Sequence, residues 1–457
     1  MADTQPFPPH PYSPDPAILT LGPGFFDQVE AADFPDHHVR FFNRRWAERV
    51  GLGETDVVAH LGRFEPLPDN LPQPLALRYH GHQFRHYNPD IGDGRGFLFA
   101  QLRDEAGRLL DLGTKGSGQT PYSRFGDGRL TLKGGVREVL ATEMLEALGA
   151  ETSKSFALVE TGEELQRNDE PSPTRSGVLT RLSHGHIRIG SFQRLAFLED
   201  VAGTAKLVSY SLRNLFSEDS DDPLRLFDLV AERSAALAAS YLAAGFVHGV
   251  LNSDNINITG ESFDYGPWRF TSTWDEEFVA AYFDHGGLYA FGRQPEAIHW
   301  DLAQLGGCLA LVADASALAD ILKDWPARFE DALIVALVRR LGIVPDEAQD
   351  RALVSAMLTV LRRRDATIDR FFFDWRGGRV PKGGDAALTG LIGGRDTLRG
   401  ALNHDYWRDD GPCSMHIDEV EAIWTAIADH DDWAPFEAKI AAIRRMGEAM
   451  AIAEATP

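Results

Sequence analysis

The feature that most constrains the fold is the run HGVLNSDNINI at 248–258, followed shortly afterwards by Asp264, Tyr265 and Gly266. Asn255 and Asp264 place an amide oxygen and a carboxylate on either side of a segment of eight residues. Oxygen donors of this kind suit Mg²⁺ or Mn²⁺ shared with the phosphates of a nucleotide. The pattern therefore predicts two metal-binding loops joined by a short strand.

The spacing is that of a protein-kinase catalytic loop, in which a His precedes a metal-binding Asn and an Asp-aromatic-Gly triplet follows. One position differs, because Val250 stands where a kinase has its catalytic Asp, and valine cannot accept a proton. Asp254 is the nearest carboxylate that could act as the base. The alternative is that Asp254 and Asn255 form only a turn, which Asx residues often do.

A lysine and a glutamate upstream support the metal interpretation. Lys115 ends a predicted strand (DLGTK), and Glu138 lies in the first turn of a helix predicted over 135–149. Kinases pair a strand lysine with a glutamate on the next helix, and the pair orients the lysine towards phosphates. Glu143 is a competing partner in the same helix. The alternative for Lys115 or Glu138 taken alone is a solvated surface residue.

Glycine clusters flank this lysine on both sides. Gly92, Gly94 and Arg95 precede it, and the GDG run at 126–128 follows it. Glycine lets backbone N–H groups approach a phosphate, and arginine adds a planar charged fork. A hairpin turn is the alternative for each cluster. Arg181 and Arg188 supply two further cations, for which surface salt bridges are the alternative.

Composition excludes several classes of protein. The 457 residues carry a net charge of −23, which argues against binding to nucleic acid or to an anionic membrane face. Two cysteines, Cys308 and Cys413, cannot form a disulfide framework. The first residues lack the features of a secretory signal, and no apolar run is long enough to span a bilayer. We expect a cytoplasmic protein.

The chain reads as three segments. Residues 1–35 are expected to form an amino-terminal arm, residues 36–215 a β-rich lobe with the nucleotide-binding elements, and residues 216–457 a helical lobe with the catalytic and metal-binding loop. Within them, 36–62 is predicted to be helical, and a long helix is predicted from Asp222-Pro223 to Gly245. The predicted fold class is α+β, with a bilobal protein-kinase-like architecture.

Together these residues resemble a known family, selenoprotein O and its bacterial YdiU relatives. The resemblance covers about 79–302 and rests on a set of short blocks. These are GHQF (81–84), GDGR (92–95), KGSGQTPYSR (115–124), GDGR (126–129), RE (137–138), SH (183–184), IR (187–188), GFVHGV (245–250), DN (254–255), DYGP (264–267), YAF (289–291), QP (294–295) and Trp300. The chain departs from the family pattern at Arg85, where the family usually has Gly, at 133–135, and beyond about 302.

The resemblance implies a kinase-fold protein adenylyltransferase that binds ATP in the opposite direction from kinases and transfers AMP to Ser, Thr or Tyr hydroxyls of proteins. It implies that Asp254 accepts the proton, that Glu138 holds Lys115 against phosphates, and that Asn255 and Asp264 bind Mg²⁺ or Mn²⁺. The residues implied to line the ATP site are Gly92, Gly94, Arg95, Lys115, Asp127, Gly128, Arg181, Arg188 and Asp264. A conventional phosphotransferase and an inactive ATP-binding scaffold remain alternatives.

Overall fold

The computed structural model describes residues 11–168 and 170–451. Its strands are β1 Phe26–Gln28, β2 His38–Phe42, β3 Leu75–Leu77, β4 Gly81–Gln83, β5 His86–Asn88, β6 Leu98–Arg103, β7 Leu109–Lys115, β8 Leu130–Thr131, β9 Lys154–Leu165, β10 Thr174–Ser183, β11 Phe246–Val247 and β12 Arg269–Phe270. Its α-helices are α1 Arg44–Arg49, α2 Leu132–Ala147, α3 Ile189–Phe197, α4 Val201–Leu215, α5 Pro223–Ala244, α6 Gln294–Leu309, α7 Ala315–Leu341, α8 Glu347–Leu361, α9 Ile368–Trp375, α10 Ala386–Ile392, α11 Ile417–His430 and α12 Ala434–Ala451. The chain thus combines a sheet-rich amino-terminal part with a helical carboxy-terminal part.

One antiparallel sheet organises the amino-terminal part. Its strands lie in the order β1-β3-β6-β7-β10-β9-β2, and β8 also pairs with β10. In the middle of the sheet, Leu179 of β10 lies opposite Lys115, and Arg181 lies opposite Gly113. Lys115 and Arg181 are therefore diagonal neighbours on adjacent central strands and lie on the same face of the sheet.

Local signals define two helices that border the site. The Thr131 side chain accepts a hydrogen bond from Gly134 N at 3.1 Å and caps α2. Asp222 caps α5 with Pro223 in its first turn, and Gly245 ends α5 with φ 70°. The helix predicted from Asp222 to Gly245 is confirmed. The helix predicted over 135–149 is present but begins earlier, at Leu132, and ends at Ala147, so Glu138 lies in its second turn and not in the first turn as predicted.

The helix predicted over 36–62 is wrong for its first part. Residues His38–Phe42 form β2, which pairs antiparallel with β9, and only Arg44–Arg49 forms an α-helix. Phe42 contacts the buried Phe156 of β9 edge to face, with ring centroids 5.7 Å apart. Pairing with a strand more than a hundred residues away outweighs local helical preference here.

The predicted amino-terminal arm contributes to the sheet. Within residues 11–35, β1 pairs with β3 and forms one edge of the sheet. Residues 1–10 lie outside the described part of the chain. The segment boundaries at 35 and 215 stay a prediction.

The helices α11 and α12 return from the carboxy-terminal part and pack against α2. Arg444 of α12 donates two hydrogen bonds to the buried Glu143 of α2, at 2.7 and 2.8 Å. Lys133, also on α2, pairs with Glu421 of α11 at 2.7 Å. Glu143 thus serves this contact and is not the partner of Lys115.

Buried apolar side chains connect the two parts of the molecule. The largest cluster extends from one face of the sheet through α2 to α5 and α6. A second cluster covers the opposite face of the sheet beneath α1. Continuous packing of this kind gives the loops between the two parts a rigid support.

Among the described residues, no helix is both long and apolar enough to cross a bilayer.

Candidate active site

Three side chains predicted from distant parts of the sequence meet at the centre of the site. Lys115 Nζ lies 2.7 Å from Glu138 Oε2 and 3.1 Å from Asp264 Oδ1. It also donates to the carbonyl oxygen of Tyr265 at 3.1 Å. Lys115 and Glu138 are both buried, so each charge depends on the other for compensation. The strand lysine and helix glutamate therefore form the predicted pair.

Two arginines add to the positive charge around Asp264. Arg181 Nη1 lies 3.4 Å from both Glu138 Oε1 and Asp264 Oδ1. Arg188 Nη1 lies 3.9 Å from Asp264 Oδ2. Burial alone would raise the pKa of Asp264, but the charges of Lys115, Arg181 and Arg188 outweigh it and hold that pKa well below its usual value. Asp264 is therefore a carboxylate at neutral pH, surrounded by cations that phosphates can also engage.

The backbone around Asp264 is fixed by the core. Asp264 has φ 63°, a left-handed conformation that non-glycine residues adopt at an energetic cost. The neighbouring Tyr265 hydroxyl lies 2.5 Å from Thr152 Oγ1 and donates to Ser262 Oγ at 2.7 Å. His248 Nε2 lies 3.0 Å from the carbonyl oxygen of Phe263. These buried contacts hold the strained residue and aim its carboxylate at Lys115.

Asp254 and Asn255 lie on a short 3₁₀ turn, Ser253–Asn255. Asp254 is 8% exposed, and its Oδ1 has no hydrogen-bond partner among the described residues. Burial raises the pKa of Asp254 to about 6, and Arg188 opposes part of this effect. A buried carboxyl group with a pKa near neutrality can take up a proton from a reacting group.

The residues present fit a divalent cation. Asn255 donates its side-chain N–H to the carbonyl oxygen of Val250 at 3.0 Å, which leaves its amide oxygen as the available ligand. With Asp264 it offers two oxygen donors on successive loops. Among the described residues, no group of three His, Cys, Asp or Glu side chains is placed to hold a metal. One carboxylate and one amide match the way Mg²⁺ is held, since phosphates and water supply its remaining ligands.

Lys115, Arg181, Arg188, Asp254 and Asp264 open onto a cleft with a volume of about 820 Å³, whereas Asn255 and Glu138 are not among its lining residues. Gly94 and Arg95 line the cleft, and Asp127 and Gly128 line it as well. The second pair belongs to the loop 119–129 between β7 and β8, which we call the flap. A Cβ atom at Gly128, where φ is 70°, would lie 2.3 Å from the backbone of Gly118. Only glycine fits this position in the flap.

The site has relatives among known proteins. A family model described as protein adenylyltransferase SelO matches residues 11–387. A protein nucleotidyltransferase YdiU from Synechocystis sp. (strain ATCC 27184 / PCC 6803 / Kazusa) is 42% identical over 461 residues, which cover 92% of this chain and 96% of that protein. Another YdiU, from Synechococcus elongatus (strain ATCC 33912 / PCC 7942 / FACHB-805), is 40% identical over 492 residues, covering 99% of this chain and 98% of that protein. The chain belongs to the SelO family. The family resemblance read from the sequence is thus confirmed, and with it the class of nucleotidyltransferases.

Most of the residues that were predicted to line the ATP site do line the cleft of this SelO-family chain. They are Gly94, Arg95, Lys115, Asp127, Gly128, Arg181, Arg188 and Asp264, and the predicted proton acceptor Asp254 also lines the cleft. Gly92 is not among the lining residues. A Cβ atom at Gly92 would lie 2.5 Å from the ring of Tyr122, so this glycine makes room for an aromatic side chain of the flap.

The Asp127 carboxylate already has a partner. It accepts two hydrogen bonds from Arg167, at 2.7 and 3.1 Å, on the loop after β9. This pair joins the flap to the sheet at the mouth of the cleft, where the Asp127 side chain is 48% exposed. An exposed pair of this kind contributes little to stability and can be exchanged for other partners.

Sequence reasoning missed several lining residues, which are Tyr79, Gln83, Tyr122, Ser123, Arg124, Phe125, Arg129, Arg167 and His186. Arg124 and Tyr122 stand inside the KGSGQTPYSR block, and their position in that block was a usable signal. Arg167 stands in a polar segment without a motif, so only the pairing of β9 with β10 brings it to the cleft.

Proposed function

We propose that the protein transfers AMP from ATP to Ser, Thr or Tyr hydroxyls of other proteins, with Mg²⁺ or Mn²⁺ held by Asn255 and Asp264. The observation that supports this most strongly is the convergence of Lys115, Arg181 and Arg188 on Asp264 inside one cleft. The membership in the SelO family and the names of the relatives point in the same direction.

In this proposal the three cations bind the triphosphate, and Glu138 keeps Lys115 in place. The acceptor oxygen bonds to the α-phosphorus, the bond from that phosphorus to the bridging oxygen breaks, and pyrophosphate leaves. Asp254 accepts the proton from the acceptor hydroxyl. A bound divalent cation would neutralise charge on the phosphates. Positioning and charge neutralisation dominate such transfers.

The choice of AMP over phosphate is supported by Val250. A kinase base two residues after His248 would serve transfer of the γ-phosphate, and valine cannot act as that base. Asp254 instead offers a buried carboxyl group that lines the cleft. We therefore propose that ATP lies in the direction opposite to that in kinases, with its α-phosphate next to Asp254.

We also propose that the sheet-rich and helical parts are the two lobes of a protein-kinase-like fold, divided near residue 215. The order of the elements supports this, since a strand lysine, a helix glutamate and two metal-binding loops follow one another as in kinases. The cytoplasmic location stays a prediction.

The decisive test uses ATP labelled at either the α- or the γ-phosphate, with a protein mixture as acceptor and Mg²⁺ or Mn²⁺ present. We expect label from α-labelled ATP only, together with a gain of one AMP unit by mass spectrometry. Label from γ-labelled ATP would indicate a phosphotransferase, and no label from either would indicate an inactive scaffold. Asp264→Asn should abolish the metal-dependent labelling, whereas Asp221→Asn, at an exposed carboxylate paired with Arg213, should not.

A further inference from the structure

Exposed aromatic side chains lie beside the candidate active site. Tyr282 is 78% exposed and Phe283 is 42% exposed, and their ring centroids are 5.1 Å apart. The ring of Phe84 lies 5.8 Å from that of Phe283. We call Phe84, Arg85, Tyr282 and Phe283 the aromatic rim. Exposed apolar side chains that cluster in this way usually mark an interaction surface.

The turn that carries part of the rim is conformationally strained. Phe84 has φ 50° and Arg85 has φ 64°, in a two-residue turn between β4 and β5 that would suit Asn and Gly. Large side chains are unfavourable in this conformation. Arg85 nevertheless pairs with Glu296 at 3.1 Å and lies over the ring of Trp300. Strain of this kind concentrates at functional surfaces, where the surrounding contacts maintain it.

Hydrogen bonds connect the rim to the catalytic turn. Phe84 N donates to Asn252 Oδ1 at 3.0 Å, and the Tyr289 hydroxyl donates to the same oxygen at 2.8 Å. Further along β4, a Cβ atom at Gly81 would lie 2.8 Å from Asp254 Oδ1. Since a strand rises about 3.3 Å per residue, the Cα atom of Phe84, the residue after β4, lies roughly 10 Å from that of Gly81, which borders the proton acceptor.

We propose that the aromatic rim binds the acceptor protein, as an extended segment with an apolar side chain about three residues from the modified hydroxyl. This rests on the proposed AMP transfer. The spacing of three residues between the hydroxyl and the apolar side chain follows from the distance between Gly81 and Phe84, because an extended acceptor has the same rise per residue as β4. An apolar side chain over Tyr282 and Phe283 would remove their rings from water.

Charge beside the rim indicates what else the acceptor carries. A hollow of about 530 Å³ next to Phe283 is lined by the charged residues Glu276, Glu277, Asp284 and Arg293 and by His285, among others. The arginine among these, Arg293, is already paired with Glu296 at 3.1 Å. Glu276 is paired with Arg362, whereas the Glu277 carboxylate has no partner among the described residues. The acceptor should therefore favour Lys or Arg near its apolar side chain and disfavour Asp and Glu.

The test measures AMP transfer from α-labelled ATP to a peptide library. Each peptide carries a single Ser, Thr or Tyr in a Gly-Ala background, and one position at a time from −4 to +4 is varied among Phe, Leu, Lys, Asp and Gly. Wild type should select Phe or Leu about three positions from the hydroxyl, by at least fivefold over Gly. Tyr282→Ser and Phe283→Ser should each reduce this selection to less than twofold. Binding of a fluorescent ATP analogue, measured in parallel, shows that both variants are folded. Val335→Ser, at a residue 62% exposed on α7, is the matched control and should keep the selection.

Each other outcome has a defined meaning. If wild type transfers AMP with no apolar preference, or if the rim variants keep that preference, the rim does not bind the acceptor. If the rim variants change only the oligomeric state measured by size-exclusion chromatography, the rim binds a second copy of this chain, and the proposal is also wrong. If wild type labels no acceptor at all, the proposed function fails and the rim proposal fails with it.

Discussion

We call Lys115, Glu138, Arg188 and Asp264 the deep end of the cleft. The deep end and the flap differ in how far their charged side chains are buried. At the deep end, Lys115, Glu138 and Arg188 are each at most 3% exposed. Lys115 pairs with Glu138, and both Lys115 and Arg188 pair with Asp264. In the flap, Phe125 is fully exposed, and Asp127 contacts Arg167 at the surface. Buried pairs fix a geometry because breaking them leaves an uncompensated charge, whereas exposed pairs are weak. The deep end is therefore organised before the nucleotide arrives, and the flap can adapt to it.

The largest effect is expected from Lys115→Met. The variant removes the cation between Glu138 and Asp264 and should lower AMP transfer by about 10²-fold or more, as loss of a preorganised charge contact does. The measurement is the incorporation of α-label into acceptor protein at saturating ATP. Lys323→Met, at an exposed position on α7, is the control. If Lys115→Met keeps more than a tenth of the activity, the deep end is not the phosphate site.

The next effect tests whether the deep end depends on the contact between α12 and α2. Arg444→Ala leaves Glu143 buried without its arginine and should loosen α2, which carries Glu138. We expect kcat to fall about tenfold. Arg445→Ala is the matched control. Arg445 is the next residue after Arg444 on α12, but it pairs with the exposed Asp409.

A double variant separates positioning from general destabilisation. If Arg444 acts through Glu138, Arg444→Ala should lower kcat little further when Glu138→Gln is already present. Fully additive losses, with a matching drop in the melting temperature, would show that the contact only stabilises the fold. Arg444→Lys, which retains a charge opposite Glu143, should restore part of the activity.

A smaller effect is expected in the flap. Arg167→Ala frees Asp127 and should raise the KM for ATP only about two- to fivefold, with kcat and the melting temperature nearly unchanged, because an exposed pair contributes at most about 1 kcal/mol. Arg213→Ala, at an exposed pair with Asp221, is the control. A loss of kcat as large as that of Lys115→Met would remove the contrast between the two regions.

The smallest effect on AMP transfer is expected from Glu261→Gln, which tests a buried carboxyl group without a contacting cation. Burial raises the pKa of Glu261 to about 7, from 4.5. The folded state therefore binds this proton more tightly than the unfolded state, so stability falls as pH rises from about 4.5 to about 7. The Gln variant should be more stable than wild type by about 1–3 kcal/mol at pH 8 and equally stable at pH 4, measured by thermal unfolding. A variant less stable at pH 8 would show that Glu261 is stabilised as an ion.

Sequence predicted those elements whose signals are local. The caps of α5 at Asp222 and Gly245 are such signals, and the order of Lys115 and Glu138 was sufficient to anticipate their ion pair. The pairs of Asp264 with Lys115, Arg181 and Arg188 were not predicted. The strand β2 was missed because its partner β9 lies more than a hundred residues later, and no local pattern encodes that pairing.

Roles that depend on close packing were also beyond the sequence. Gly92 belongs to a GDG pattern that is typical of phosphate-binding loops, yet in the structure it accommodates the ring of Tyr122. Asp127 was placed in the nucleotide site by resemblance, and its present contact with Arg167 depends on where β9 ends. A motif identifies which residue types occur together, whereas contacts of this kind are set by tertiary structure.

The contact between Arg444 and Glu143 also affects the timing of biosynthesis, since 301 residues separate the two partners. Translation proceeds at about 5–20 residues per second, so a nascent chain holds a completed α2 for roughly 15–60 seconds before Arg444 has been made. During that interval Glu143 lacks its arginine, and the helix that orients Lys115 is without part of its support. A chain still on the ribosome should therefore be a poorer enzyme than the released protein, which would delay modification of neighbouring proteins until synthesis has passed α12.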